Sequence, residues 1–347
     1  MIAATQPVQR PATSRLLVID QNRKFNHILR ASFVEYLRSG DLLIANDAAT
    51  IPASLQGVHI PTGDLIEVRL AGRPSLRPED VRFSAVVFGA GDFHTRTEDR
   101  LAPPQLAPGD QIVLGPLRGN IEKLLGHSRL VLLRFEGTPD QVWAGLAHHG
   151  RPIQYAYVSV PLALWDVWTR IAGPPVAFEP PSAGFALDWH VLSQMRDRGV
   201  EFETITHAAG ISSTGDEELD RLLPFDEPYR IPEVTARAIQ RARERGGRIV
   251  AVGTTVVRAL EHAATGDGRV RSGEGVATQR IGPSVRLRVV DAVLSGTHEP
   301  GTSHYELLRA FLDDATLERA SKELDECDYL THEFGDSVLI ESGYLSL

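Results

Sequence analysis

The sequence predicts a mixed α/β protein interrupted by a smaller unit of short antiparallel strands, and three observations predict it. The first is the junction Ile249-Val250-Ala251-Val252-Gly253-Thr254-Thr255-Val256-Val257-Arg258-Ala259-Leu260-Glu261. Its apolar run reads as a fully buried strand, a glycine turns the chain, and helical spacing follows. The second is the texture between Gly63 and Gly137, where short β-rich pieces alternate with Gly/Pro punctuation such as Pro108-Gly109-Asp110. Closely spaced short strands with little helix mark a small antiparallel barrel or sandwich. The third is the return of mixed helix and strand beyond that stretch, which makes it an insertion.

Taken in order, Arg15–Asp20 reads as a strand and Ile28–Arg38 as a helix closed by Gly40. Asp41–Asp47 is a buried strand with a polar tip, where α/β folds place ligand contacts. Inside the insertion the expected strands are Leu65–Leu70, Val81–Phe88, Gln111–Leu114 and Leu130–Phe135, with a helix at Pro139–Ala147 after them. Asp188–Arg198 is amphipathic and closed by Gly199, and Val200–Thr206 is a strand. Pro232–Arg245 has proline in its first turn, basic residues at its end and Gly246-Gly247 as its stop, so it reads as a helix. Val285–Val293 reads as a strand. Ser303-His304-Tyr305-Glu306 reads as a capping box opening a helix to Leu312. A helix near Ala315–Asp325 and a strand at Ser337–Glu341 complete the pattern.

The chain has 347 residues, 42% hydrophobic and 23% charged, as in a soluble globular protein with ample core. Its 36 basic and 45 acidic residues give a net charge of −9, so no global attraction to nucleic acid exists, though a local basic patch is compatible with that total. The single cysteine, Cys327, excludes an intrachain disulfide and a metal site built on several thiolates, and suits a reducing cytoplasm. No apolar run approaches the roughly 20 residues that span a bilayer. Residues 1–13 are expected to be a disordered tail rather than a signal or an anchor. A cytoplasmic protein without membrane attachment is therefore expected.

The junction also carries chemistry. A helix N-terminus exposed at the end of a buried strand presents free N–H groups and partial positive charge, a seat for a carboxylate or phosphate. The whole pattern Ala251-Val252-Gly253-Thr254-Thr255, then Arg258, Leu260 and Glu261, resembles the signature of the S-adenosylmethionine:tRNA ribosyltransferase-isomerase family of queuosine biosynthesis. The resemblance runs from about Arg15 to Glu341. It includes Gly40–Asp47, Ile51-Pro52-Ala53, Pro181-Ser182-Ala183-Gly184, Val289-Val290-Asp291-Ala292, His298 with Pro300, and Gly335-Asp336. It implies an α/β main domain, residues 14–62 plus 150–347, split by a β-barrel domain over 63–149. It also implies ribosyl transfer from S-adenosylmethionine to 7-aminomethyl-7-deazaguanine in tRNA. The product is epoxyqueuosine, with adenine and methionine released.

That reaction needs a base near the ribose, an acid near adenine, donors for the methionine carboxylate and exclusion of water. It requires no metal and no cofactor besides S-adenosylmethionine as co-substrate. Candidates for the anion seat are Gly253, Thr254 and Thr255. Arg258 is a candidate to bind the same anion or to pair with Glu261 one turn on. Candidate acids and bases are His207, His298, Asp47, Glu227 and Asp336, and the arginines of 237–248 are candidates for RNA phosphates. The chain also departs from the family pattern. Ala48-Ala49 replace Thr-Arg, Phe185-Ala186-Leu187 replace Leu-His-Phe, and Phe225-Asp226-Glu227 replace His-Ser-Glu. Segments 206–213 and 280–284 differ as well. These changes leave two alternatives open, a paralogue serving a non-tRNA acceptor and a non-catalytic nucleotide-binding relative.

Overall fold

A computed structural model describes residues 1–343. Nine strands form one sheet, in the order Gly273–Ala277, Glu227–Ile231, Glu201–His207, Leu42–Asn46, Ile249–Val252, Ala292–Gly296, Ser337–Glu341, Arg15–Ile19 and Phe25–Leu29. The four strands from Glu201–His207 to Ala292–Gly296 run parallel to one another, so their C-terminal ends share one edge. Successive side chains of a strand point to opposite faces. Leu17, Ile19, Leu42, Ile44, Ile249 and Ala251 therefore pack on one face beneath the Glu233–Glu244, Thr254–Ala263 and Asp314–Glu326 helices. Leu16, Val18, Leu43, Ala45, Val250 and Val252 pack on the other, under Phe33, Leu187, Val191 and Met195. Both faces are covered, which is why these strands read as continuous apolar runs.

The inserted strands close a six-stranded antiparallel barrel, in the order Leu117–His127, Leu130–Phe135, Arg82–Phe88, Leu65–Gly72, Ser54–His59 and Gln111–Leu114. The barrel starts at Ser54, earlier than the sequence pattern suggests. Leu117–His127 was not expected to be a strand; Gly119, Gly126 and the Glu122-Lys123 pair break its alternation, yet it pairs on both sides. Phe178, from the main chain after the barrel, packs into the barrel core.

Four expectations are corrected. Ile28–Arg38 is not one helix. Phe25–Leu29 pairs antiparallel with Arg15–Ile19, and a 3-10 helix follows over Arg30–Tyr36. The buried Arg30 guanidinium fixes that turn by donating to the carbonyls of Gly335 (3.0 Å) and Gln9 (2.6 Å). The strand expected from Val285 begins only at Ala292. The helix expected at Ser303 is capped by Thr302, whose hydroxyl accepts from the Tyr305 N–H, and it ends at Leu308. Residues 1–13 are not a free tail. Ile2–Ala3 pairs parallel with Leu330–Thr331, and the Gln9 amide donates to the carbonyls of Asp166 and Trp168, both at 2.8 Å. No helix among the described residues is long and apolar enough to cross a membrane.

Candidate active site

The shared C-terminal edge of the four parallel strands opens into a cavity of about 300 Å³. In open α/β sheets ligands bind in the crevice beyond that edge. The Ile249–Val252 strand delivers Gly253, Thr254 and Thr255 to the cavity, and Ala292–Gly296 delivers Ser295 and Gly296.

Gly253, not a threonine, is the N-cap of the Thr254–Ala263 helix, with φ at +92°. A left-handed backbone at this turn favours glycine for want of a Cβ. No side chain caps the helix, so the first-turn N–H groups meet the cavity with no capping oxygen supplied by the protein. Such a terminus carries partial positive charge and free donors. Asn46, on the neighbouring strand, reaches the Thr255 hydroxyl at 3.5 Å and is itself fixed by His207. Its amide donates to the His207 carbonyl (2.9 Å) and its oxygen accepts from the His207 N–H (2.9 Å).

One wall is built on Glu227. Its carboxylate accepts from the Arg258 guanidinium, from His207 Nε2 at 2.8 Å and from the Gly210 N–H at 2.6 Å. Burial alone would raise this carboxyl. The Arg258 charge, the His207 contacts and the Gly210 N–H outweigh burial and pull it down to about 2. Arg258 donates further to the carbonyls of Ala277 (2.9 Å), Phe225 (3.0 Å) and Gln279 (3.2 Å). Its fork is thus committed within the protein, and it does not pair with Glu261. The His207 ring is fully buried and bridges Glu227 to the Thr255 carbonyl (2.8 Å), bracing the helix start. His207 and Arg258 therefore hold the wall rather than face a substrate freely.

A second wall carries Glu179, which sequence reasoning did not single out. Tyr155 Oη donates to one carboxyl oxygen at 2.5 Å, and the Ser212 N–H donates to the other at 3.1 Å. Burial, then the charge of Glu333, push this carboxyl up to about 7 against the hydrogen bonding of Ser212 and Tyr155. Two carboxyl groups in one cavity thus hold opposite protonation preferences, the arrangement that separates acid from anion roles. The sequence clue was Phe178-Glu179-Pro180-Pro181 directly before Ser182-Ala183-Gly184, but its meaning depends on Tyr155, which arrives from elsewhere in the chain.

His298 also lines the cavity. Its Nε2 lies 2.9 Å from Ser295 Oγ, and its ring stacks on His304 with centroids 4.7 Å apart. Burial first, then His304 and His332, lower His298 well below the usual histidine value, so it sits there as a neutral ring. His304 is lowered chiefly by burial.

Besides His207, which lies behind the wall, three candidates do not reach the cavity. Asp47 accepts from the hydroxyls of Thr206 (2.7 Å) and Thr204 (3.1 Å), tying adjacent strands together. Asp336 accepts from the N–H groups of Arg15 (2.7 Å) and Leu330 (2.9 Å). Glu261 accepts from the N–H groups of Arg288 (2.8 Å), Val289 and Val290 (both 2.9 Å). That capture explains why residues 285–291 stay out of the sheet. All three carboxylates satisfy backbone or hydroxyl donors. The arginines of 237–248 are likewise engaged. Arg241 and Arg245 pair with Glu201, Arg237 with Glu233, Arg248 with Asp41 and Glu341, and Arg243 donates to the Arg288 and Val289 carbonyls. One group among the described residues, His27, Glu323 and Cys327, brings a nitrogen, a carboxylate oxygen and a thiol within 4.8 Å. It lies outside the cavity, and the His27–Glu323 hydrogen bond (3.0 Å) accounts for its closeness.

Residues 1–340 match the family described as Queuosine biosynthesis protein. The chain belongs to that family. It is 32% identical to the S-adenosylmethionine:tRNA ribosyltransferase-isomerase of Citrifermentans bemidjiense, covering 98% of this chain and 96% of that one. It is also 32% identical to the enzyme of the same name from Thermus thermophilus, covering 97% and 95%. A crystal structure of an S-adenosylmethionine tRNA ribosyltransferase from Thermotoga maritima shares the fold. Its TM-score is 0.51 at 24% identity, covering 97% of this chain and 96% of that one.

Proposed function

We propose that this chain transfers and isomerises the ribosyl group of S-adenosylmethionine onto 7-aminomethyl-7-deazaguanine in tRNA, giving epoxyqueuosine and releasing adenine and methionine. Full-length membership of the family supports the reaction class. The observation that carries the reading is the uncapped helix N-terminus at Gly253–Thr255, opening into the cavity beyond the parallel strands. In this reading its N–H groups hold the methionine carboxylate, because donors and dipole both favour an anion there. Glu227, kept ionised by Arg258, fixes the wall beside that helix start. S-adenosylmethionine enters as co-substrate, and the chemistry calls for no resident cofactor or metal. The exposed Arg221 and Arg280 on the cavity rim are suited to meet the phosphates of an incoming nucleic acid.

A second reading keeps S-adenosylmethionine and changes the acceptor. It is favoured by where the departures from the family pattern fall. Ala48, Ala49, Phe185, Ala186 and Leu187 are buried in packing and do not line the cavity. Gly210, Ile211, Ser212, Arg280 and Ile281, from the two other altered segments, do line it.

The test is mass spectrometry of products after incubation with S-adenosylmethionine, with and without tRNA carrying the aminomethyl-deazaguanine. Adenine and methionine release that depends on this tRNA, with a matching mass gain on the base, is expected. Release that ignores this tRNA and appears with another nucleoside acceptor supports the second reading against the first.

A further inference from the structure

Glu179 is a buried carboxyl in the cavity wall with no cation of its own. Phe178 is anchored in the barrel core and Pro180-Pro181 stiffen the other side, so the carboxyl is held between two rigid neighbours. Both contacts made to its oxygens come from donors, Tyr155 Oη at 2.5 Å and the Ser212 N–H at 3.1 Å. Among the described residues no lysine, arginine or histidine forms an ion pair with it, whereas Glu227 in the same cavity pairs with both Arg258 and His207.

The groups around it are of both signs. Tyr155 lies against Tyr157 (ring centroids 5.9 Å apart), and Tyr157 donates to Glu333. The Arg69 guanidinium sits over the Tyr155 ring at 5.7 Å but is engaged by Glu67 at 2.7 Å. Asp220, in the same cavity wall, is held by the Thr214 N–H and hydroxyl, both at 2.6 Å. Glu227 with Arg258, the neutral His298 and His304, Glu306 held by Arg309, and the rim residues Arg221 and Arg280 complete the cavity's titratable and charged set.

We propose that Glu179 delivers the proton taken up by the departing purine. This rests on the ribosyl-transfer reading and gives one cavity residue a role in it. As the bond between the ribose and the purine breaks, its electron pair passes to the purine nitrogen, and the neighbouring ring oxygen's lone pair makes up the deficit at the ribose carbon. The Glu179 carboxyl proton moves to a purine ring nitrogen, and adenine leaves neutral. The carboxylate left behind already accepts two hydrogen bonds, from Tyr155 and Ser212, so the charge forms in an environment that needs no rearrangement. Solvent restores the proton before the next turnover. Burial and Glu333 keep the group protonated over much of the neutral range, as a donor working near pH 7 requires.

The experiment follows adenine release from S-adenosylmethionine with the acceptor tRNA, across about pH 5 to 9. It compares the natural protein, Glu179→Gln and Tyr155→Phe, and measures S-adenosylmethionine affinity of each by calorimetry. The natural protein is expected to lose turnover as pH rises through about 7. Glu179→Gln is expected to bind S-adenosylmethionine with unchanged affinity and to release adenine at least about 100-fold more slowly. Tyr155→Phe removes a donor to the anion, so its alkaline limb shifts to higher pH, which a purely structural role for Tyr155 does not produce. Adenine release by Glu179→Gln at the natural rate with the same alkaline limb overturns the assignment and leaves the functional reading standing. Absence of adenine release by the natural protein with every acceptor overturns the functional reading itself, and the assignment with it.

Discussion

The Glu227 wall and the Glu179 wall face the same cavity and solve the burial of a carboxyl in opposite ways. Glu227 is surrounded by donors, and Arg258 compensates its charge. Glu179 has two neutral donors and a second carboxylate, Glu333, nearby. Burying a charge is costly unless it is paired, so the first carboxyl stays ionised and the second holds its proton. The lesson is that charge in this cavity is set by which side chains arrive from other elements. The carboxyl chemistry is identical on both walls.

The largest effect tests the paired wall. Arg258→Ala leaves Glu227 buried without its cation and removes donors from three carbonyls. A loss of about 3–5 kcal/mol is expected in denaturant unfolding. From the sequence, Arg258 is a candidate either to bind the anion or to pair with Glu261, and the first of these roles leaves the fold intact on its removal. An unchanged unfolding midpoint would restore that view and break the contrast between the walls.

The next effect tests the unpaired wall. An acid whose folded value lies above its unfolded value binds more protons when folded. Its ionisation therefore costs stability as pH rises from about 4.5 to about 7. Glu179→Gln removes that loss and is expected to be about 3 kcal/mol more stable than the natural protein at pH 8, with no gain at pH 4. Glu227 behaves in the opposite sense. Its stabilisation is complete above about 4.5 and is lost as pH falls toward about 2. Equal stability of Glu179→Gln and the natural protein at pH 8 would place the two carboxyls in the same class.

The smallest effect concerns the turn between the walls. A Cβ on Gly253 would lie 3.5 Å from the Ala183 methyl, an ordinary contact, so only the φ of +92° opposes it. Gly253→Ala is expected to cost about 1–3 kcal/mol in thermal or denaturant unfolding, because φ of +92° with ψ of 155° is a region only glycine adopts readily. A much larger loss would point to a clash that this geometry does not contain.

Much of the frame was legible. Ile249–Val252, Gln111–Leu114, Leu130–Phe135 and Ser337–Glu341 appear where their apolar runs end at glycine or polar residues. Gly253 declared the turn and the helix start at the cavity edge in one residue. What stayed hidden depends on partners distant in sequence. Asp47, Asp336 and Glu261 matched family positions, yet each spends its oxygens on backbone N–H or hydroxyl donors that only the folded sheet brings near. Arg258 pointed one turn along its own helix to Glu261, and its partner proved to be Glu227 on another strand. Glu179 had only its place before Ser182-Ala183-Gly184 to mark it, and its meaning stayed hidden because Tyr155, Ser212 and Glu333 reach it from three separate segments.

The most direct test is a carbon-13 NMR titration of the glutamate side-chain carboxyls, with Glu179→Gln and Glu227→Gln used to assign the two resonances. The account predicts that Glu179 titrates near pH 7 while Glu227 stays ionised down to the acid limit of folding. A Glu179 resonance already ionised at pH 5.5, moving together with the exposed glutamates near about 4.3, would contradict it.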